Sequence, residues 1–365
     1  MAIGPATRKN LIRILSFGVL WIFLGLLYTI VEFGIIGASG LYPSTGIAYN
    51  FRANVITTPL VSFLGGTMVM VIDTWVIERR LKRKSFRNKL LIKSLSFILI
   101  ILATVSLSAL ILNSLIAEKP IYDVEVINNV GSFIYSFAFW SIILYVSFMT
   151  VLCLFIVEMA DSLGSNVFWN FFTGRYQTSK VEEKIFMFLD LKNSTSIAEE
   201  LGHTDYYNFL NYFFEDISRA ALKHWGTIYQ YVGDEIVIHW PNHKSLESIE
   251  CFFAIKEIIN MNSKVYQEKF GFVPGFRAGI HGGLVAIGEI GTTKKDILYI
   301  GDVLNATSRI QGMCKEFGAD VLISEDIYSV IDADFSDYTF KDMGCTELRG
   351  KKKRVNLYAV AKTNF

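Results

Sequence analysis

Ile185-Phe186-Met187-Phe188-Leu189-Asp190 is an apolar run closed by a carboxylate, and Leu191-Lys192-Asn193-Ser194-Thr195 follows it. A short continuous apolar run of this kind is consistent with a buried strand, and its acid stands at the strand's exit. A second acid, Asp234, lies in Tyr231-Val232-Gly233-Asp234-Glu235-Ile236. The β-rich runs on either side, 227–232 and 235–240, make the Gly-Asp pair the turn of a hairpin. Two carboxylates so placed can hold hard divalent cations over a polyphosphate, since Mg²⁺ sites lean on one or two carboxylates and on substrate phosphates. A third segment is Gly301-Asp302-Val303-Leu304-Asn305-Ala306-Thr307-Ser308-Arg309.

Outward from these runs, the pattern predicts a helix over about 194–223, broken near Gly202, and a second helix over about 244–269. Strands are expected near 273–281, 284–289 and 296–300, then a helix from about Asp302, then short strands near 320–323, 337–341 and 354–361. The order β-α-α-β-β-α-β is a ferredoxin-like plan, an α+β arrangement with a central antiparallel sheet and helices on one face.

Four motifs occur in order: F-x-D-L-x-x-S-T at 188–195, Y-V-G-D-E at 231–235, G-I-H-G-G at 279–283 and I-G-D-x-x-N-x-x-x-R at 300–309. Together they resemble the catalytic domain of class III nucleotidyl cyclases, from about Glu182 to about Val360. The resemblance implies two Mg²⁺ or Mn²⁺ ions per site, held by Asp190, Asp234 and the backbone at Leu191, with a nucleoside triphosphate as substrate. It further implies that Asn305 orients the ribose and Arg309 stabilises charge on the pentavalent phosphate. These two are four apart on a helix and so share a face. Asn193, Ser194 and Thr195 open a helix, where backbone amides can cradle phosphate, and Gly233 belongs to the same turn as the second metal carboxylate. Lys351, in Leu348-Arg349-Gly350-Lys351-Lys352-Lys353-Arg354, matches a lysine that contacts the terminal phosphates. Family sites lie at a dimer interface, one subunit bringing the aspartates and the other the asparagine and arginine. This chain carries both sets, so a homodimer would form two equivalent sites.

The chain departs from the family at two positions that read the base. Gln230 stands where adenylate cyclases place lysine, and Leu298 where they place aspartate or threonine. Gln230 can donate to and accept from a purine edge, whereas Leu298 makes no hydrogen bond. The glutamate and cysteine typical of guanylate cyclases are absent too, which favours ATP. GTP or a pyrimidine triphosphate, a cyclase-like regulator without turnover, and a diguanylate cyclase are the alternatives.

The first 160 residues read differently. Apolar runs at about 11–36, 55–77, 91–116 and 131–157 are each long enough to cross a hydrocarbon core. The 78–90 loop is rich in Arg and Lys, whereas the 37–54 and 117–130 loops hold one basic residue each, which places the 78–90 loop and both termini inside a cell (plasma, or inner) membrane. Outer loops this short leave any stimulus to act within the bundle, through membrane lipid or through a partner. Glu32, Asp73 and Glu158 fall near span ends, where interfacial water would reach them. The expected organisation is therefore a transmembrane domain over 1–157, a coupling segment over 158–183, whose aromatic 167–176 stretch reads as an amphipathic helix and turn, and a cyclase domain over 184–365. A net charge of +1 gives no field pointing to nucleic acid. The widely spaced Cys153, Cys251, Cys314 and Cys345 read as reduced thiols.

Overall fold

The computed structural model describes residues 4–36, 40, 49–81, 84–163, 168, 170, 173–293, 295–331, 337–347 and 354–363. They fall into two compact units, Thr7–Thr173 and Gly174–Phe365.

The first unit is helical: α1 (Pro5–Ile36), α2 (Phe51–Ile72), α3 (Phe86–Ala117), α4 (Val124–Ile134) and α5 (Phe137–Leu163). A π-helical turn, Asp73–Ile77, and a last helical turn, Glu78–Leu81, extend α2. Among the described residues four stretches are long and apolar enough to cross a membrane: Asn10–Ile36, Phe51–Ile77, Phe86–Leu115 and Phe137–Ser162. The fourth begins later than the 131–157 run. Residues 131–134 belong to the short helix α4, and Ser136 starts a new helix by accepting a hydrogen bond from the Phe139 amide at 3.3 Å. Hydropathy alone does not see that cap. Residues 167, 169, 171 and 172 of the aromatic stretch 167–176 lie outside the described residues. Its end is a turn through Gly174, and Tyr176 is buried in the second unit against Phe186, Val285 and Ile287.

The expectation that Asp73 and Glu158 reach interfacial water does not hold. They are 0% and 4% exposed. Lys93 on α3 comes between them, 3.2 Å from Asp73 and 3.0 Å from Glu158, and it also binds Glu78. Arg13 on α1 bridges Asp73 at 3.1 Å and Asp161 at 3.0 Å, and Lys89 lies 3.5 Å from both Glu78 and Glu158. Thus part of the basic segment turns into the bundle and joins α1, α2, α3 and α5, because a buried carboxylate without a partner would be expensive. Glu32 does stay near its helix end, with Tyr28 at 3.1 Å and Asn54 at 3.4 Å.

The second unit contains β1 (Lys180–Leu191), α6 (Ser194–Lys223), β2 (Thr227–Val232), β3 (Glu235–Pro241), α7 (Ser245–Met261), α8 (Ser263–Phe270), β4 (Phe276–Ile290), β5 (Asp296–Ile300), α9 (Asp302–Met313), β6 (Val321–Ser324), α10 (Glu325–Tyr328), β7 (Tyr338–Glu347) and β8 (Arg354–Lys362). The described strands form one sheet in the order β2-β3-β1-β4-β6-β8-β7, with β5 paired to β4. β1 is apolar throughout because both its faces are covered. Ile185, Met187 and Leu189 meet Phe209, Phe213 and Phe252 of α6 and α7, while Phe186 and Phe188 meet Val237, Val285 and Val303 on the other side.

Three expectations are corrected here. The sheet is mixed, since β4 and β6 run parallel with Ala278 opposite Val321. Parallel neighbours need a crossover, and α9 supplies it on the face opposite α6 and α7, so the helices are not confined to one face. Residues 273–281 and 284–289 are one strand rather than two. The Gly282-Gly283 pair stays in the ladder opposite Ile185 and Lys184. Its missing side chains leave room for Ile327 and Val303 rather than for a turn. The 244–269 helix is broken at Asn262 into α7 and α8. Helix α6 runs as expected from Ser194, with non-helical backbone at Gly202 (φ 71°).

Candidate active site

Asp190 ends the centre strand of a short row. Across one neighbour it stands opposite Glu235 of β3; across the other it stands opposite Arg277 of β4. Residues directly opposite in a ladder point to the same face, so Glu235, Asp190 and Arg277 line up on the face that also carries Phe188 and Val237. Asp234 joins them from the hairpin turn, where Gly233 takes φ +63°, and its carboxyl lies within hydrogen-bonding reach of Asp190. Burial, then the charge of Asp234, pushes the Asp190 carboxyl up to about 6. Burial, then Asp190 and Asp234, pushes Glu235 up to about 7. Burial and the same two aspartates raise the Tyr206 hydroxyl.

Among the described residues no three acidic, His or Cys side chains converge as a closed metal cage. Two crowded carboxylates beside the Leu191 backbone still suit a hard cation that takes its remaining oxygens from phosphate. Burial first and the Asp234 charge second raise the Asp190 carboxyl, and a bound cation would offset both.

Asn193 adopts a left-handed conformation (φ 59°), and Ser194 opens α6, so the amides at Asn193, Ser194 and Thr195 lie at a helix N-terminus directly after β1. Lys192 anchors this corner. Its amide bonds the Gly275 carbonyl at 2.8 Å and its Nζ reaches Asp320 at 2.6 Å. Burial opposes ionisation of Asp320, yet Lys192 and Lys256 hold its carboxyl below the usual range.

Asn305 is exposed and Arg309 half-buried on α9, whose Val303, Ala306, Thr307 and Ile310 face inward. Among the described residues neither Asn305 nor Arg309 makes a side-chain hydrogen bond or ion pair, to Asp190 and Asp234 or to any other residue. The helix lies against β4 at Gly279, where a Cβ would sit 2.4 Å from the Gln311 backbone nitrogen. The glycine of the G-I-H-G-G segment thus sets how closely α9 approaches the sheet.

Gln230 is exposed on β2 opposite Val237. Leu298 is half-buried on β5 opposite Gly288. It alternates with Ile297 and Tyr299, which pack into the Phe186 cluster. Tyr299 stacks edge-on to Tyr229 and shares a hydrogen bond of 3.1 Å with His239 Nε2. Burial pushes that imidazole down to about 3, so it is neutral. Lys351 lies outside the described residues. Sequence reasoning missed Glu235, Arg277 and Gln311. A lone cation in the apolar stretch Phe276-Arg277-Ala278-Gly279-Ile280 was the available signal for Arg277. Gln311 had none, because its role depends on how α9 packs.

The profile of the adenylate and guanylate cyclase catalytic domain matches residues 176–362. The chain belongs to this family. Among curated proteins it is 38% identical over 177 residues to adenylate cyclase 2 of Rhizobium meliloti (strain 1021), covering 48% of this chain and 49% of that one. It is 27% identical over 189 residues to adenylate cyclase 1 of the same organism, covering 49% of this chain and 27% of that one. The chain therefore spans about half, or less, of the relatives it matches. A solved bacterial light-regulated adenylyl cyclase shares the fold with a TM-score of 0.50 at 16% identity, over 60% of this chain and 65% of that one.

Proposed function

We propose that this chain is a membrane-anchored adenylate cyclase that converts ATP to 3′,5′-cyclic AMP and pyrophosphate at two sites shared between the chains of a homodimer. The observation that carries the reading is the crowding of the Asp190 and Asp234 carboxylates at the end of β1, with Glu235 and Arg277 at the register positions on either side of Asp190. Asp190, Asp234 and the Leu191 carbonyl would hold two divalent cations, which when bound supply Lewis acidity and screen the triphosphate. Arg277 stands beside the cluster as a cation for the phosphates, and the α6 amides at 193–195 accept phosphate oxygens at the positive end of the helix. Lys351 is assigned to the terminal phosphates by its place in the sequence.

Asn305 orients the ribose. Arg309 is planar and always charged, and it stabilises charge that develops on the α-phosphate. Among the described residues neither bonds Asp190 or Asp234 within one chain, which supports a site completed by a second copy. Gln230 reads the base edge, while Leu298 offers only apolar contact. ATP is favoured because the relatives above are adenylate cyclases. Four helices long and apolar enough to cross a membrane support the anchoring, and the excess of basic residues in the 78–90 loop supports a cytoplasmic catalytic unit. Purified full-length chain in bilayers, given Mn²⁺ or Mg²⁺ and each of the four ribonucleoside triphosphates in turn, should form cyclic AMP fastest when products are identified by mass. Cyclic GMP or a cyclic pyrimidine nucleotide as the main product would redirect the base assignment; no cyclic product from any triphosphate would remove the enzymatic reading.

A further inference from the structure

Helix α9 has two working sides. Asn305 and Arg309 lie four residues apart on one of them. Gln311 lies two residues beyond Arg309, a rotation of about 200° around the helix, so it faces the other way. There its Nε2 donates to Asp190 Oδ2 of the same chain at 3.4 Å. The approach is enforced from behind, because Gly279 lets the helix backbone at Thr307 and Gln311 lie against β4, where any Cβ would collide. The side-chain amide therefore meets the carboxylate at the end of β1, and a donor there fixes which oxygen remains free. Ile310 and Cys314, on either side of Gln311, are fully buried against Leu322 and Leu357, so the helix cannot turn to release the contact without disturbing its core.

We infer that Gln311 is a positioning residue for Asp190, and that α9 thereby serves two sites at once: its own chain's through Gln311, and the partner's through Asn305 and Arg309. The inference rests on the shared-site reading above and adds a residue to it. A group that orients a ligating carboxylate typically contributes about 10–100-fold in metal affinity or activity. The geometry also makes the two half-sites mechanically continuous. A shift of α9 that draws Gln311 away from Asp190 moves Arg309 in the partner's site.

Gln311→Met is the informative substitution, because methionine keeps the length and helix preference of glutamine and lacks the donor. Two measurements on full-length chains test it. The first is Mn²⁺ titration without nucleotide, followed by electron paramagnetic resonance. The apparent dissociation constant should rise about tenfold or more over the unsubstituted chain; an unchanged constant overturns the inference.

The second uses mixed dimers of Asp190→Ala and Arg309→Ala chains, in which one site carries neither lesion. Its intact Asp190 comes from the Arg309→Ala chain. Gln311→Met placed on that chain should raise the Mn²⁺ concentration needed for half-maximal activity. Placed on the Asp190→Ala chain it should leave that concentration unchanged. Both dimers carry the same substitution, so a merely structural loss would affect them alike, and equal shifts from the two placements overturn the positioning role. Absence of activity in mixed dimers with Gln311 intact would count against the shared site alone, since the nucleotide-free titration still decides whether Gln311 acts on Asp190.

Discussion

In the helical unit the carboxylates of Asp73, Glu78 and Glu158 converge on one ammonium, Lys93. In the catalytic unit Asp190 and Asp234 crowd each other, with Glu235 at the register position opposite Asp190. The first is largely buried and the second half-buried, and among the described residues only the first is ion-paired, with Arg13 and Lys89 adding to Lys93. A paired cluster holds helices together and is costly to unpair. A cluster of like charges works against the fold that contains it until a cation arrives. Their sensitivities to substitution should therefore have opposite signs.

The largest effect expected is on turnover. Asp190→Asn or Asp234→Asn removes a ligand from charge stabilisation worth several kcal/mol, so activity should fall by about 10³-fold or more. Steady-state assays at matched protein levels check this; retention of most activity in either variant would end the metal assignment. Next is Lys93→Met, which leaves three carboxylates facing one another inside the bundle and should destabilise it by about 3–5 kcal/mol. Adding Glu158→Gln should recover part of that loss in thermal unfolding of the full-length protein in bilayers. If Lys93→Met alone is neutral, the pairing is not what holds the spans.

Arg309→Ala should lower kcat by about 10²-fold while KM moves much less, because its contact strengthens in the transition state. A loss expressed mainly in KM would place Arg309 in ground-state binding instead. Gly279→Ala, with its added Cβ against the α9 backbone, should cost about 1–3 kcal/mol by overpacking and lower activity as well, since it displaces Asn305 and Arg309 along with the helix. Unchanged stability would mean that α9 moves aside at little cost.

Much of this was legible in the sequence, and the reasons differ between the two clusters. The β1 run, the Gly-Asp hairpin and the start of α6 are local: apolar patterning, turn chemistry and a helix N-terminus lie within a dozen residues of each other. The four apolar stretches were legible because length and composition suffice to mark them. Lys93 was hidden, since a lysine seven residues into an apolar helix declares nothing about the carboxylates of three other segments. Arg277 and Glu235 were hidden because their alignment with Asp190 is a property of strand register. The single strand through Gly282-Gly283 was misread for a related reason. Glycine signals both turns and close packing, and only the partner strand decides between them.

The most direct test of the contrast is thermal unfolding of full-length protein with a chelator and with Mn²⁺. The raised carboxyls of Asp190 and Glu235 fix the sign. Their stabilising protonated forms are fully present below the unfolded carboxylate values and are lost as pH rises through about 6 and 7. In chelator at pH 8, Asp190→Asn should therefore be at least as stable as the unsubstituted chain, and the advantage should disappear below pH 4. Mn²⁺ should then raise the melting temperature of the unsubstituted chain and leave Asp190→Asn nearly unmoved. A less stable Asp190→Asn in chelator, or an equal rise of both proteins in Mn²⁺, would contradict the account, because Asp190 would then be a paired structural acid like Asp73.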